Sequence, residues 1–303
     1  MDIGFIGLGV MGTPMAGHLA RAGHSLTLLD QDNATAQRAA EACGAGARVA
    51  ATPREVAGQS DIIITMLPNG EVVREVALGE AGLIHGLRPG ALLLDTSSCE
   101  PWLTQQTGAA LAGRGASMVD APVSGAQWGA IDAQLVFMVG GHAPDVARVR
   151  PLLDVMGRAV FHLGGPGAGH AMKCINNCIT AVTLANTAQG LIAGKRYGLD
   201  PVAMIDVLNA STGGSWITQT HFKQRVFNRT FDDPFKLALM LKDMGIAVQL
   251  AHENGAPVPL WDLAQQLWGQ AAEASAPDAS VSELVRWVEQ QAGTELTPGA
   301  VPP

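Results

Sequence analysis

The sequence predicts an α/β fold: a doubly wound parallel sheet over residues 1–165, then an all-helical domain over 166–291. Three observations predict it. Short apolar runs alternate with helical patterns through the first 165 residues. A glycine-rich turn, Gly7-Leu8-Gly9-Val10-Met11-Gly12, joins the first apolar run to the first helical pattern. After residue 165 the strand-like runs stop and only helical patterns follow.

The strand candidates are IGFIG (3–7), LTLLD (26–30), ARVA (47–50), DIIITML (61–67), ALLLDTS (91–97), SMVDAPV (117–123), LVFMVGG (135–141) and AVFHLG (159–164). Most are continuous and apolar, as strands covered on both faces should be. Helical patterns such as 11–23 and 143–157 lie between them, which calls for parallel strands joined by crossover helices.

The first turn reads GxGxxG between a strand and a helix. Gly7 permits the tight turn, Gly9 lets a pyrophosphate approach the backbone, and Gly12 lets helix and strand pack closely. Val10 and Met11 complete the loop, and the helix N-terminus offers its free N–H groups to phosphates. This is the fingerprint of a Rossmann-type dinucleotide site. Asp30 ends the second strand, where a carboxylate accepts hydrogen bonds from the adenosine ribose hydroxyls. Its charge, with that of Asp32, disfavours a 2′-phosphate, so NAD is expected over NADP. The competing reading of Asp30 is a cap for the next helix. Met66-Leu67-Pro68-Asn69 and Asp95-Thr96-Ser97-Ser98 follow two further strands on the same edge of the sheet, where ligands of open α/β sheets lie. Each is read either as a plain turn or as a cofactor contact.

Helical segments are expected over 167–196, 201–210, 215–228, 235–254, 259–274 and 280–291, punctuated by Gly198, Pro201, Thr212-Gly213-Gly214, Pro234 and 255–259. The end, 292–303, is expected to be a disordered tail. Substrate sites favour the clefts between such domains. The first of these helices opens with Gly164-Gly-Pro-Gly-Ala-Gly169 and carries Lys173 almost at once, with no further charge until Lys195. Lys173 and Asn177 share a helix face one turn apart. A positive helix end and dry surroundings both disfavour an ammonium, and both should tune Lys173 toward general acid/base work. The competing reading is a lysine snorkelling from the first turn.

These residues resemble the β-hydroxyacid dehydrogenases, which include 3-hydroxyisobutyrate dehydrogenase and tartronate semialdehyde reductase. The likeness spans residues 2–290 and rests on three motifs in order: GFIGLGVMGTPMAGHLARAGH, Asp120-Ala-Pro-Val-Ser-Gly125 with Gly129-Ala130, and Gly167 through Lys173 to Asn177. A weaker match covers Phe235 to Asp243. The resemblance implies that Lys173 is the general acid/base and that Asn177 orients the lysine or the substrate hydroxyl. It implies that Ser124 and Gly125 hold a substrate carboxylate, and that Lys242 lies near the nicotinamide. Leu67, Pro68 and Thr96 would contact the cofactor. The implied reaction converts a small 3-hydroxy acid and NAD to the semialdehyde or 3-oxo acid and NADH. Two places depart from the family: His18 stands for the usual Asn and Ala133-Gln134 for Gly-Thr; Trp128 sits inside the substrate motif, at a position that varies in the family. Trp128 is read as pocket lining or as surface packing. Trp216 is expected to line the substrate pocket.

Composition excludes other classes. A net charge of −8 with no basic cluster excludes nucleic acid as a partner. The uncharged stretch 174–194 is long enough for a bilayer but carries Asn and Gln, so no membrane partner is expected. The four cysteines lack CxxC spacing, and no His or carboxylate joins Cys174 and Cys178 at metal-ligand spacing, so no metal is expected. A cytoplasmic enzyme working as a homodimer or homotetramer on a small carboxylate is the reading. The alternatives are an imine reductase-like enzyme, which Lys173 opposes, and a catalytically silent dinucleotide-binding protein of the same fold.

Overall fold

The structure is a computed structural model of the chain and describes residues 1–298. Two compact units make it up, Met1–Lys173 and the chain from Cys174 onward.

The first unit is built on one sheet. β1 (Asp2–Ile6), β2 (Ser25–Leu29), β3 (Ala47–Val49), β4 (Ile62–Thr65), β5 (Leu92–Asp95) and β6 (Ser117–Asp120) run parallel in the order β3-β2-β1-β4-β5-β6. Helices α1 (Gly12–Arg21), α2 (Asn33–Cys43), α3 (Pro53–Gly58), α4 (Gly70–Leu78) and α5 (Pro101–Ala112) make the crossovers. Period-two alternation divides the core. Ile62, Ile64, Leu92 and Leu94 join one cluster with α1 residues Met15 and Leu19. Ile63 and Leu93 point the other way and pack with Val56, Val73 and Leu111. Burial on both faces explains why the strands read as unbroken apolar runs.

The sheet is not parallel throughout. β7 (Val123–Ser124) and β8 (Leu135–Gly140) pair antiparallel, and β8 also meets β6 antiparallel at Asp120 and Gly140. Asp120, Pro122, Val123 and Ser124 face β8 in one continuous register, with Met138 N–H donating to the Pro122 carbonyl. The run 117–123 is thus one edge, interrupted where Pro122 has no N–H to give. Only the short α6 (Ala126–Ile131) and a turn separate β7 from β8, too little chain for a parallel crossover. α7 (Ala143–Met156) then leads into β9 (Gly157–Gly164), which returns parallel to β8.

Helix α8 (Ala168–Tyr197) closes the first unit with its residues up to Lys173 and opens the second. The second unit is helical: the rest of α8, α9 (Pro201–Asn209), a π-helix over Ile217–Val226, α10 (Leu237–Glu253), α11 (Pro259–Glu273) and α12 (Glu283–Ala292). Cys174, Cys178, Ala181, Leu184, Ala185, Ala188, Leu191 and Ile192 are buried at helical spacing, whereas Ile179 is 52% exposed. α8 therefore buries a stripe, not its whole circumference. No helix of the described residues is long and apolar enough to cross a membrane.

The expectation of a disordered tail fails for 292–298. Gly293 ends α12 in the left-handed conformation that stops helices. Leu296 is fully buried and donates its N–H to the buried Glu289 carboxylate at 2.6 Å, and Lys195 donates to the carbonyl and hydroxyl of Thr297. One apolar side chain and a buried acceptor hold the strap that its composition suggested was free. Residues 299–303 of that tail lie outside the described residues.

Candidate active site

The parallel strands place their carboxyl ends, and the loops that follow, on one edge of the sheet. At the β1–α1 turn the three glycines differ in what surrounds them. A Cβ on Gly7, whose φ is +95°, would lie 2.3 Å from the Met66 carbonyl oxygen, and one on Gly12 would lie 1.9 Å from the carbonyl oxygen of Gly7. A Cβ on Gly9 would meet nothing within 4 Å. Gly7 and Gly12 are therefore closed by the protein itself, while Gly9 presents bare backbone to open space, which fits a diphosphate. An open cleft of about 550 Å³ lies there, bounded by Leu8, Gly9 and Val10 of the turn, Thr13 and Pro14 of α1, and Thr35 and Arg38 of α2. Gln127 and Ile131 of α6 also line it. Sequence reasoning missed both α6 residues, whose only signal is their i, i+4 spacing.

Asp30 follows β2 and is fixed by the backbone. Its carboxylate accepts the N–H of Leu8 at 2.7 Å and that of Asp32 at 3.0 Å. It does not cap α2. That task falls to Asp32, whose carboxyl is held below the usual range by the Thr35 hydroxyl and the Ala34 N–H. Arg38 is turned to Thr35 at 2.8 Å and Asp32 at 3.7 Å.

The loops after β4 and β5 are tied to each other. Thr96 donates both its N–H and its hydroxyl to the Thr65 carbonyl, and Leu67 N–H donates to the Ser97 hydroxyl at 2.9 Å. Thr96 is almost wholly buried, so its hydroxyl proton belongs to this clamp. Asn69 caps α4 by accepting from Val72 N–H.

Beneath these loops lies a buried polar network that the sequence did not reveal. Asp95, Asp120 and His170 are each fully buried. Asp120, at the end of β6, accepts the N–H of Gly167 at 2.8 Å and that of His170 at 2.9 Å, the free donors at the start of α8. His170 Nε2 lies 3.1 Å from the Ser97 carbonyl and Nδ1 lies 2.7 Å from the Thr104 hydroxyl. The Ser97 carbonyl can only accept, so Nε2 carries a proton and donates to it, while Nδ1 shares a hydrogen bond with the Thr104 hydroxyl. Asp95 accepts from the Thr65 hydroxyl, Ser97 N–H and the Cys99 thiol. Asp95, Cys99 and His170 are close enough to suggest a metal. Both nitrogens of His170 and the Asp95 carboxylate already have protein partners, so the cluster reads as a hydrogen-bonded core. Its effect is to fix the first turn of α8, and with it Lys173, to the ends of β5 and β6. Asp120 also answers the positive end of α8, which removes one of the two reasons for expecting a tuned lysine. Lys173 itself is half-buried.

Ser124 ends β7, and Gly125, at φ +132°, turns the chain into α6. Ala126, the first residue of α6, and Ala133, two residues past its end, hold φ values of +51° and +54°. His18 of α1 bonds both carbonyls at the end of α6, Ala130 at 2.9 Å and Ile131 at 3.0 Å. Trp128 is 64% exposed.

In the second unit Asn177 is buried and donates to Asp243 at 2.6 Å, while Asn176 donates to its amide oxygen. Lys242 lies 3.2 Å from the same Asp243 carboxylate. Asp243 was part of a sequence motif but carried no assigned role; it is the buried anchor of both residues. Trp216 precedes the π-helix and is 64% exposed. Within that helix His221 bonds Ser282 at 3.1 Å, and burial pushes its pKa down. The cysteines are free thiols, and burial pushes Cys178 up to about 12, which keeps it protonated and inert.

Residues 2–164 match the family model described as the NAD binding domain of 6-phosphogluconate dehydrogenase. Residues 167–288 match the one described as NAD-binding of NADP-dependent 3-hydroxyisobutyrate dehydrogenase. A 3-hydroxyisobutyrate dehydrogenase of Pseudomonas aeruginosa is 36% identical over 281 residues, covering 91% of this chain and 93% of its own. An NAD-dependent L-serine dehydrogenase of the same organism is 36% identical over 274 residues, covering 88% and 91%. Among solved structures, a 3-hydroxyisobutyrate dehydrogenase of Mycobacterium tuberculosis with L-serine superposes with a TM-score of 0.85 at 33% identity, covering 95% of this chain and 98% of that one.

Proposed function

The chain belongs to the β-hydroxyacid dehydrogenase family of NAD(P)-dependent oxidoreductases acting on small hydroxy acids, and from that premise we propose that it oxidises a small 3-hydroxy acid with NAD, using Lys173 as general acid/base. The substrate class is that of 3-hydroxyisobutyrate, L-serine, glycerate or L-threonate. The observation that carries this reading is the anchoring of the lysine's helix. Asp120 and His170 tie the first turn of α8 to the strand ends that share an edge with the GxGxxG turn.

NAD supplies a hydride acceptor when bound. The protein's part is to move the proton and hold the acid. The Lys173 amine takes the hydroxyl proton during oxidation and returns it in the reverse direction. Asn177, pinned by Asp243, orients the lysine one turn before it on α8. The Ser124 hydroxyl and the Gly125 N–H hold the carboxylate and so fix which carbon carries the reacting hydroxyl. The preference for NAD is supported by Asp30, whose carboxylate is pinned at the end of β2, and by Arg38, which is engaged by Thr35 and Asp32.

The test is reduction of NAD and NADP by a panel of these acids, wild type against Lys173→Ala. The variant is expected to lose about 10²–10⁴-fold in kcat while still binding NADH by fluorescence titration. Turnover that survives the substitution removes the lysine mechanism, and a preference for NADP removes the cofactor assignment. Inactivity on every acid with NADPH-dependent reduction of imines would favour the imine reductase reading.

A further inference from the structure

Resting on the dinucleotide reading above, we propose that Gln127 contacts the cofactor's diphosphate, so that α6 is a wall of the dinucleotide site as well as the start of the substrate motif. The polar side chains bounding the cleft differ in what they have left to offer. The Thr13 hydroxyl is spent on the Leu8 carbonyl at 2.6 Å. The Thr35 hydroxyl is spent on Asp32 and accepts from Arg38. Arg38 of α2 is engaged by the Thr35 hydroxyl and the carboxylate of Asp32. Gln127 is half-buried at the cleft, and among the described residues no hydrogen bond occupies its carboxamide. It brings two N–H donors to a space that bare Gly9 backbone also faces. A diphosphate is all acceptors, and a neutral amide donor meets it without needing a counter-charge of its own.

The wall is held in position. His18 of α1 bonds the Ala130 and Ile131 carbonyls, so α6 is attached to the same helix whose N-terminus follows the GxGxxG turn. Gln127 and Ile131 are i and i+4, and both face the cleft. The left-handed turn through Gly125 and Ala126 puts Gln127 two residues after the expected carboxylate site. A bound diphosphate that orders Gln127 thereby orders the turn that would receive the acid. His18, one of the places where this chain departs from the family pattern, is the residue that makes this attachment.

The experiment titrates NADH and ADP-ribose into wild type, Gln127→Ala and Gln127→Glu by calorimetry, with no hydroxy acid present. Gln127→Ala is expected to bind both probes about tenfold more weakly, the loss of one hydrogen bond to a charged acceptor. Gln127→Glu is expected to lose more, because a carboxylate would face the phosphates, and to recover part of the loss in 0.5 M salt, an order at which screening of exposed charges is strong. The thermal midpoints should stay together, since the side chain has no protein partner to lose. A loss seen with NADH but not with ADP-ribose moves the contact to the nicotinamide side and overturns the assignment. Variants that bind both probes as wild type does also overturn it. If the wild type itself binds neither probe, the dinucleotide reading falls first, and the two failures are thereby distinguished.

Discussion

Two glycine-rich turns open helices in this protein, and they treat the helix N-terminus in opposite ways. The turn at Gly7–Gly12 leads into α1 with no side-chain cap and no acidic residue in the first turn. Its positive end is left for something else to neutralise, and Gly9 keeps the approach clear. The turn at Gly164–Gly169 leads into α8, whose first free N–H groups are taken by the buried carboxylate of Asp120. Both sequences look like phosphate loops by composition. One remains open to an anion because the carboxylate that reaches its turn, Asp30, takes only the Leu8 N–H and leaves the start of α1 without a side-chain cap; the other is already filled from within. Free helix ends are what bind anions, and only the tertiary structure says which ends are free.

The largest effect should come from breaking the filled turn. Asp120→Asn keeps one acceptor but puts an amide N–H₂ against the second donor. It should cost about 3 kcal/mol, the sum of a lost charge-assisted bond and a buried N–H left unsatisfied. A urea titration reads this as a lower midpoint. A variant as stable as wild type would show that Asp120 does not hold α8, and the contrast between the turns would go with it.

A second, smaller effect should separate the glycines of the open turn. Gly9→Ala places its Cβ in empty space, so the thermal midpoint should hold while NADH binding weakens by about tenfold, roughly 1.4 kcal/mol. Gly12→Ala is the control: its Cβ would lie 1.9 Å from the Gly7 carbonyl oxygen, so the midpoint itself should fall. Were Gly9→Ala to bind NADH normally, the open side of this turn would not be where the diphosphate lies.

The contrast also marks what the sequence could disclose. Buried parallel strands are continuous apolar runs, and crossover helices must separate them, so the order of elements through β6 is written in hydrophobicity alone. GxGxxG is local, and its neighbours in space are its neighbours in sequence. The reversal at β7 and β8 was hidden because it depends on how little chain lies between Ser124 and Leu135. The Asp120–His170 network was hidden for a different reason: its members are 50 residues apart and meet only after folding. The same holds for Asn177 and Asp243, 66 residues apart. The π-helical bonding of Ile217–Val226 has no compositional signature, so 215–228 read simply as helix. The strap at 294–297 reads as free in the sequence because Gly, Thr and Pro outweigh a single Leu296, which the fold buries.

The smallest predicted effect concerns Ala133, where the family pattern has glycine. Its φ of +54° lies in the left-handed region. A residue with a Cβ pays roughly 1–2 kcal/mol there, whereas glycine enters freely but loses about 0.5–1 kcal/mol more backbone entropy on folding. The difference favours glycine by about 0.5 kcal/mol, so Ala133→Gly should raise the thermal midpoint slightly. The substitution acts at the far end of α6, beyond the carbonyls that His18 holds, so NADH affinity should not change with it. A rise in stability with unchanged binding would mean that strain at this turn is independent of the dinucleotide site. A stabilised variant that binds NADH less well would mean that the strain is what presses α6 toward the cleft. The open turn would then owe its ligand to a distortion stored beside α6 as well as to its own bare backbone.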